Sequence, residues 1–405
     1  MTTAASPLLI VTVDRLPAWL LPPWGCTWSS MPTLTSLAAR GVVFDRCLAT
    51  SDDPAATLTV LGGGGPAVTG PGGWPLLAAA CEAGLAPVFI TDDPDLAAGA
   101  DNGPTGPTIV HVPMRPAETA AADEAATNLG RLFAAAAERL ASSAHRLVWC
   151  HAASLGETWD MPAEYREAYL DPDDPPPPAG TRVPNLMIDA QTDPDLIVAV
   201  RHVFAGQLTL LDHCLGRLVE GIPHGGRGWA ILVAGVRGLG LGLHGRLGPG
   251  PMPPFGELIH LPAIVVDPAG RMAAQRVGGL ITPADLAATL LEAAGRPAPQ
   301  SADPRLGRSL MPLLHDWTWP GRDRVICSAV DGTAVATAAW LLVSPSAAGS
   351  ASAIPRLFAK PDDFFELSDV ADRCPAVAEE LSALAATDPD DAWTRPLSPL
   401  AAEGV

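Results

Sequence analysis

Leu8-Leu-Ile-Val-Thr-Val-Asp14 runs six apolar or β-branched residues straight into an aspartate. An uninterrupted run of this kind, bounded by polar and proline-containing sequence, reads as a strand buried on both faces of a parallel sheet. In open α/β sheets, ligands bind beyond the carboxyl ends of the strands. Asp14 stands at that end, where a carboxylate serves as a metal ligand or a catalytic group. The plainer reading is a residue that turns the chain after the strand.

The same kind of segment recurs, with helical periodicity between. Val42-Val-Phe44, Ala86 to Thr91, Arg146 to His151, Trp229 to Gly235 and Leu261 to Val266 read as further strands. Met31 to Arg40 reads as a short helix with Thr33 or Thr35 as N-cap and Gly41 as its stop. Ala55 to Leu61, Pro75 to Ala83, Glu118 to Ala144 and Thr282 to Ala294 read as helices too. Asp193-Pro194 opens the strongest one, with a stripe of Leu196, Val200, Val203, Leu208, Leu211, Leu215 and Leu218. The alternation predicts an α/β fold over residues 1–315: a doubly wound, mostly parallel sheet flanked by helices. From Trp317 the pattern changes. Arg324 to Ser328, Ala338 to Val343 and Arg356 to Ala359 read as short strands, followed by a helix from Pro375 to Ala386. Residues 316–405 therefore predict a small C-terminal α+β subdomain with an antiparallel sheet.

Composition narrows the function. With 405 residues and 48% apolar content, the chain buries a large core. Its net charge of −19 speaks against a nucleic-acid partner and does nothing to recruit an anionic substrate. The seven cysteines form no C-x-x-C pair and mostly sit in apolar contexts, as buried free thiols of a reducing compartment do. The N-terminus lacks a basic region, and no run of about 18 apolar residues exists, so neither a secretory signal nor a membrane span is expected. The expected location is cytoplasmic. Gly62-Gly-Gly-Gly65 lacks the Lys-Ser/Thr of a phosphate loop and reads as a turn.

Beyond composition, the order of the pieces resembles the sulfatase family of the alkaline-phosphatase-like superfamily. The resemblance rests on the strand ending in Asp14, on Met31 to Phe44 with Ala49-Thr-Ser51, and on Trp159-Asp-Met-Pro-Ala-Glu-Tyr-Arg166. Leu211 to Leu218, Leu243-His-Gly245, Ala284 to Leu291, Gly307-Arg-Ser-Leu310 and Phe365-Glu-Leu-Ser-Asp369 follow in the family's order. It implies the sulfatase fold and, in active members, a hydrated formylglycine made from Cys or Ser in C/S-x-P-x-R. A divalent cation, Ca²⁺ or Mg²⁺, stands beside it.

The family's site residues carry over poorly. Aligning Pro54 with the motif proline puts Asp52 at the nucleophile and Ala56 at the arginine, with Cys47 five residues upstream. The paired aspartates after the first strand become Asp14 and Arg15. The second metal motif reads Val236-Arg237-Gly238. Gly156 stands at an expected histidine and Pro249 at an expected lysine, leaving Asp14 and His244. One aspartate beside an arginine is a poor cation site.

Two readings of the site follow. The first is a catalytically inactive pseudoenzyme with a binding or regulatory role and no cofactor. In it, Arg15 and Arg237 either bind a small anion or, as favoured, pair with Asp14 and Asp52. The alternative is a divergent sulfuric- or phosphate-ester hydrolase using Asp14 as metal ligand with Asp52 and His244 as catalytic groups. That one needs the cation. A third, of another class, is a protein-interaction module using the proline loop Pro175 to Pro178. Asp52 and Asp53 read more plainly as cap and first-turn acid of a helix. His244 reads equally as an anion ligand or a solvated loop residue. His151 reads as structural and His213 as a half-buried packing residue.

Overall fold

All seven residues of the strand Leu8–Asp14 are buried. It pairs in parallel with Leu147–Ala152 on one side and Ala230–Arg237 on the other. This computed structural model describes residues 6–404 apart from 66–67, 69, 99–105, 117, 143, 224–227, 298–302, 315–320 and 347–353.

The Leu8–Asp14 strand lies inside a nine-stranded sheet. From one edge the order is His260–Leu261, Val42–Leu48, Ala263–Val266, Ala230–Arg237, Leu8–Asp14, Leu147–Ala152, Val88–Thr91 and Thr108–His111, with Gln275–Ile281 also pairing to Val42–Leu48. Pairing is parallel except where Ala263–Val266 and His260–Leu261 meet their neighbours. Pro262, which has no N–H to give a ladder, separates those two strands.

The period of two sends alternate side chains to opposite faces. Leu8 and Ile10 join one core with the helices Pro54–Leu61, Pro75–Glu82 and Pro283–Ala293. Leu9, Val11 and Val13 join the other with Pro32–Arg40, Asn128–Ala141 and Pro194–Glu220. On the first face Trp74, Trp149 and Phe89 form a buried aromatic knot with centroids 4.8–5.5 Å apart. Truncating such a ring to alanine costs about 3–5 kcal/mol.

Three local expectations change. The helix expected over Glu118 to Ala144 runs Asn128–Ala141, after a separate 3-10 turn at Glu124–Ala126. Thr127 caps it, accepting from Gly130 N at 2.9 Å, and Asp160 accepts from Asn128 N at 2.8 Å. Gly130 is required there, because a Cβ would lie 1.9 Å from the Glu124 carbonyl oxygen. Neither Thr33 nor Thr35 caps Pro32–Arg40. Instead the buried carboxylate of Asp212, from the long helix Pro194–Glu220, accepts from Thr33 N (2.9 Å) and Leu34 N (2.8 Å). Three strands carry no strong apolar run: Thr108–His111, Gln275–Ile281 and Gly332–Thr337.

Toward the C-terminus, Arg324–Ala329, Gly332–Thr337, Trp340–Pro345 and Arg356–Ala359 form a four-stranded antiparallel sheet. The helix Pro375–Ala385 packs on it, and both share the core of the first face of the large sheet. The expected boundary at 315/316 and Trp317 lie outside the described residues. The seven cysteines are free, five of them buried. Among the described residues no helix is long and apolar enough to cross a membrane.

Candidate functional site

Leu8–Asp14 and Ala230–Arg237 end side by side, and a register shift after Val13 sets Asp14 opposite Arg237. Leu16 N then donates to the Arg237 carbonyl at 2.9 Å. Arg15, between them, takes a left-handed backbone (φ 62°), an uncommon state for a non-glycine residue that recurs at functional turns. The turn brings three charges together. Arg237 Nε and Nη2 donate to the two Asp14 oxygens at 3.0 and 2.8 Å, a bidentate pair. Arg237 Nη1 also donates to the Asp52 carbonyl at 3.1 Å. Arg15 Nε lies 3.8 Å from Asp14 Oδ2, and its Nη2 donates to the Pro249 carbonyl at 3.1 Å. Asp14 and Arg15 are only 5% and 7% exposed. Burial pushes the Arg15 guanidinium down to about 10, helped by repulsion from Arg237 and opposed by the charge of Asp14.

These residues form the floor of a cleft of about 980 Å³. Its walls carry Arg115 and Arg182 together with Asp93, Asp95, Glu118 and Glu157. Gly156 lines it as well, and a Cβ there would come within 3.2 Å of Arg15 Cγ. Arg15 thus occupies the space beside Gly156 and bonds the backbone at Pro249.

The donor set does not fit a divalent cation. A hard cation takes several free oxygen ligands. Here both Asp14 oxygens already accept from Arg237, and a second guanidinium stands beside them. Asp52 supplies no substitute: its Oδ2 accepts from Val330 N at 3.3 Å, and it does not line the cleft. Among the described residues no group of three His, Cys, Asp or Glu side chains is placed to hold a metal ion. What the floor offers is two guanidiniums facing one carboxylate.

The remaining candidates fall elsewhere. Asp53 caps the helix Pro54–Leu61, accepting from Ala55 N at 2.9 Å. His244 is neither solvated nor in the cleft. Its side chain is 3% exposed, its Nε2 lies 3.1 Å from Glu366 Oε2, and its ring stacks on Phe255 at 3.9 Å. His151 is buried at its strand end beside the Thr12 hydroxyl (3.0 Å), and burial lowers its basicity. His213 is half exposed in a polar cluster with Tyr165 and Glu124 rather than packed in a core. Cys47 is buried in the strand Val42–Leu48, and burial pushes its thiol up.

Two polar features went unread in the sequence. One is the buried pair Asp285–Arg322, both bonds at 2.7 Å. The other is Glu257, whose carboxyl burial raises to about 7 against the pull of the Leu241 and Leu243 amides.

No protein-family model and no curated protein matches the chain. Solved structures do. The phosphonate monoester hydrolase of Agrobacterium radiobacter is similar at a TM-score of 0.69 and 16% identity, over 93% of this chain and 94% of that one. The phosphonate monoester hydrolase from Silicibacter pomeroyi gives 0.68 and 18%, over 94% and 93%. A putative sulfatase from Bacteroides thetaiotaomicron gives 0.68 and 15%, over 94% and 91%. The chain therefore has the fold of the sulfatases and phosphonate monoester hydrolases, that of the alkaline-phosphatase-like superfamily.

Proposed function

We propose that this is a sulfatase-fold protein without metal-dependent ester hydrolysis, whose cleft has a binding or regulatory role toward a small oxyanion. The observation that carries the reading is the bidentate pair between Arg237 and Asp14. A guanidinium takes the carboxylate that a cation would need, and Arg15 leaves the floor with an excess positive charge. Arg15 Nε is buried with no hydrogen-bond partner, a donor in want of an acceptor.

The test is turnover of 4-nitrophenyl sulfate, 4-nitrophenyl phosphate and a phosphonate monoester by the purified chain, with Ca²⁺, Mg²⁺, Mn²⁺ or Zn²⁺ and with EDTA. The expected result is no turnover above buffer in any condition, with inorganic sulfate binding equally well with and without EDTA. Cation-dependent turnover abolished by Asp14→Ala would overturn the reading and favour the divergent hydrolase. Against that hydrolase stands the placement of His244, which faces Glu366 instead of Asp14 and Asp52.

A further inference from the structure

A second cavity lies where the large sheet meets the C-terminal subdomain, and it shares no lining residue with the arginine cleft. Its volume of about 370 Å³ is in the range of small-molecule sites. The walls are aromatic. Trp19 and Trp24 come from the segment after the first strand, Trp340 from the C-terminal sheet, and Phe364 and Phe365 from the loop after that sheet. Phe365 is 41% exposed and meets Trp19 edge-on at 6.1 Å, so part of this wall stays open to solvent.

The charged groups on the walls are nearly all engaged. Arg276 pairs with Asp45. Lys360 pairs with Glu366 at 2.9 Å, and Glu366 also faces His244. Arg46 donates to the carbonyls of Gly278 and Ala338, and the His260 ring lies 2.7 Å from the Asp45 carbonyl. Glu257 is different. Its Oε1 accepts from Leu241 N at 2.5 Å, while its Oε2 is buried without a hydrogen-bond partner. The nearby Arg201 donates its Nε to the Leu241 carbonyl instead and lies over the Trp19 ring at 5.5 Å.

A buried acceptor without a donor is costly, and a ligand that brings the donor recovers that cost. The wall cations already donate to carboxylates or carbonyls while Glu257 Oε2 has no donor, so the walls ask a ligand for a donor at Glu257. Aromatic faces favour a cationic one. We propose that this cavity binds a compact primary amine with an aromatic or alkyl body, its ammonium donating to Glu257 and its body lying among Trp19, Trp24 and Trp340. The inference is independent of how the arginine cleft is read.

The experiment is isothermal titration of the full chain at about pH 8, where the Glu257 carboxyl is mostly ionised and a primary amine still charged, with 2-phenylethylamine and with phenylacetate, which differ in the sign of the charged end. Glu257→Gln keeps an acceptor for Leu241 N and replaces the unpartnered oxygen with a donor. Gly278→Leu adds bulk to the cavity wall at a position where a Cβ meets only Asp45 Oδ2, at 3.9 Å. The amine is expected to bind one to one, with phenylacetate at least about tenfold weaker. Glu257→Gln should weaken amine binding about tenfold or more, and Gly278→Leu should weaken both ligands. No heat with the amine, equal affinity for the two ligands, or full amine affinity in a folded Glu257→Gln or Gly278→Leu variant would overturn the proposal. The contrast between the two ligands on the unmodified chain decides it even if Glu257→Gln does not fold.

Discussion

Arg237→Met removes the guanidinium from the cleft floor and keeps most of the aliphatic stem. Asp14 then loses its bonds of 3.0 and 2.8 Å, and the Asp52 carbonyl loses a third at 3.1 Å. Asp14 is 5% exposed, so water replaces those donors poorly, and Arg15 at 3.8 Å is the nearest remaining cation. Breaking a fully buried ion pair costs about 3–5 kcal/mol. The Arg237 side chain is 19% exposed and Arg15 stays in place, which lowers the expected loss to about 2–3 kcal/mol. Urea denaturation, read as a shift in midpoint at constant slope, measures it. Asp14→Asn and the double variant complete a cycle whose coupling energy should be about 2 kcal/mol. A loss below about 0.5 kcal/mol for Arg237→Met, or additive single losses, would refute the picture of a guanidinium holding a buried carboxylate.

Three further outcomes follow from other contacts. Gly156→His drives a Cβ to within 3.2 Å of Arg15 Cγ, so it should cost about 1–2 kcal/mol alone and almost nothing beside Arg15→Ala; a loss that persists in the pair would mean Arg15 is not what fills that space. Burial raises the Glu257 carboxyl from 4.5 to about 7, so the folded chain holds a proton that the unfolded chain has released. That contribution is complete below about pH 4.5 and is lost as pH rises to about 7, by about 3 kcal/mol. Relative to Glu257→Gln, the unmodified chain should thus lose stability across that window, and a pH-independent difference in denaturation midpoints would contradict the assignment. Arg322→Leu leaves the fully buried Asp285 carboxylate, still bonded to Thr282 N and Arg308 N, without its counter-charge and should cost about 3–5 kcal/mol in urea melts. A single loss under about 1 kcal/mol would show that the pair is not what the burial implies.

The legible parts of the sequence were those where one residue type or period leaves few choices. Continuous β-branched and leucine runs marked the central strands, and the stripe from Leu196 to Leu218 marked the long helix. The four-residue edge strand Thr108–His111 and the Thr- and Ala-rich hairpin strand Gly332–Thr337 gain their order from pairing, which segments so short or so weakly apolar do not announce. At the site, the meeting of Asp14, Arg15 and Arg237 at the strand ends was readable, and so was the pairing of Arg237 with Asp14. That Gly156 and Pro249 both serve Arg15 was not, because the contacts join residues 141 and 234 positions away through the fold. His244 misled for the same reason. Its neighbours in sequence are loop glycines, while its neighbours in space, Glu366 and Phe255, belong to other elements and remove it from solvent. Glu257 went unread because nothing in its local sequence marks it as buried.

The most direct measurement is metal content. The purified chain is soaked with Ca²⁺, Mg²⁺, Mn²⁺ and Zn²⁺, desalted, and analysed by elemental mass spectrometry beside Asp14→Ala. If Arg237 stands where a cation would, neither protein retains a stoichiometric divalent metal and the two are indistinguishable. One equivalent of metal held by the unmodified chain and lost in Asp14→Ala would contradict the account, because Asp14 would then be a ligand and Arg237 its displaced neighbour.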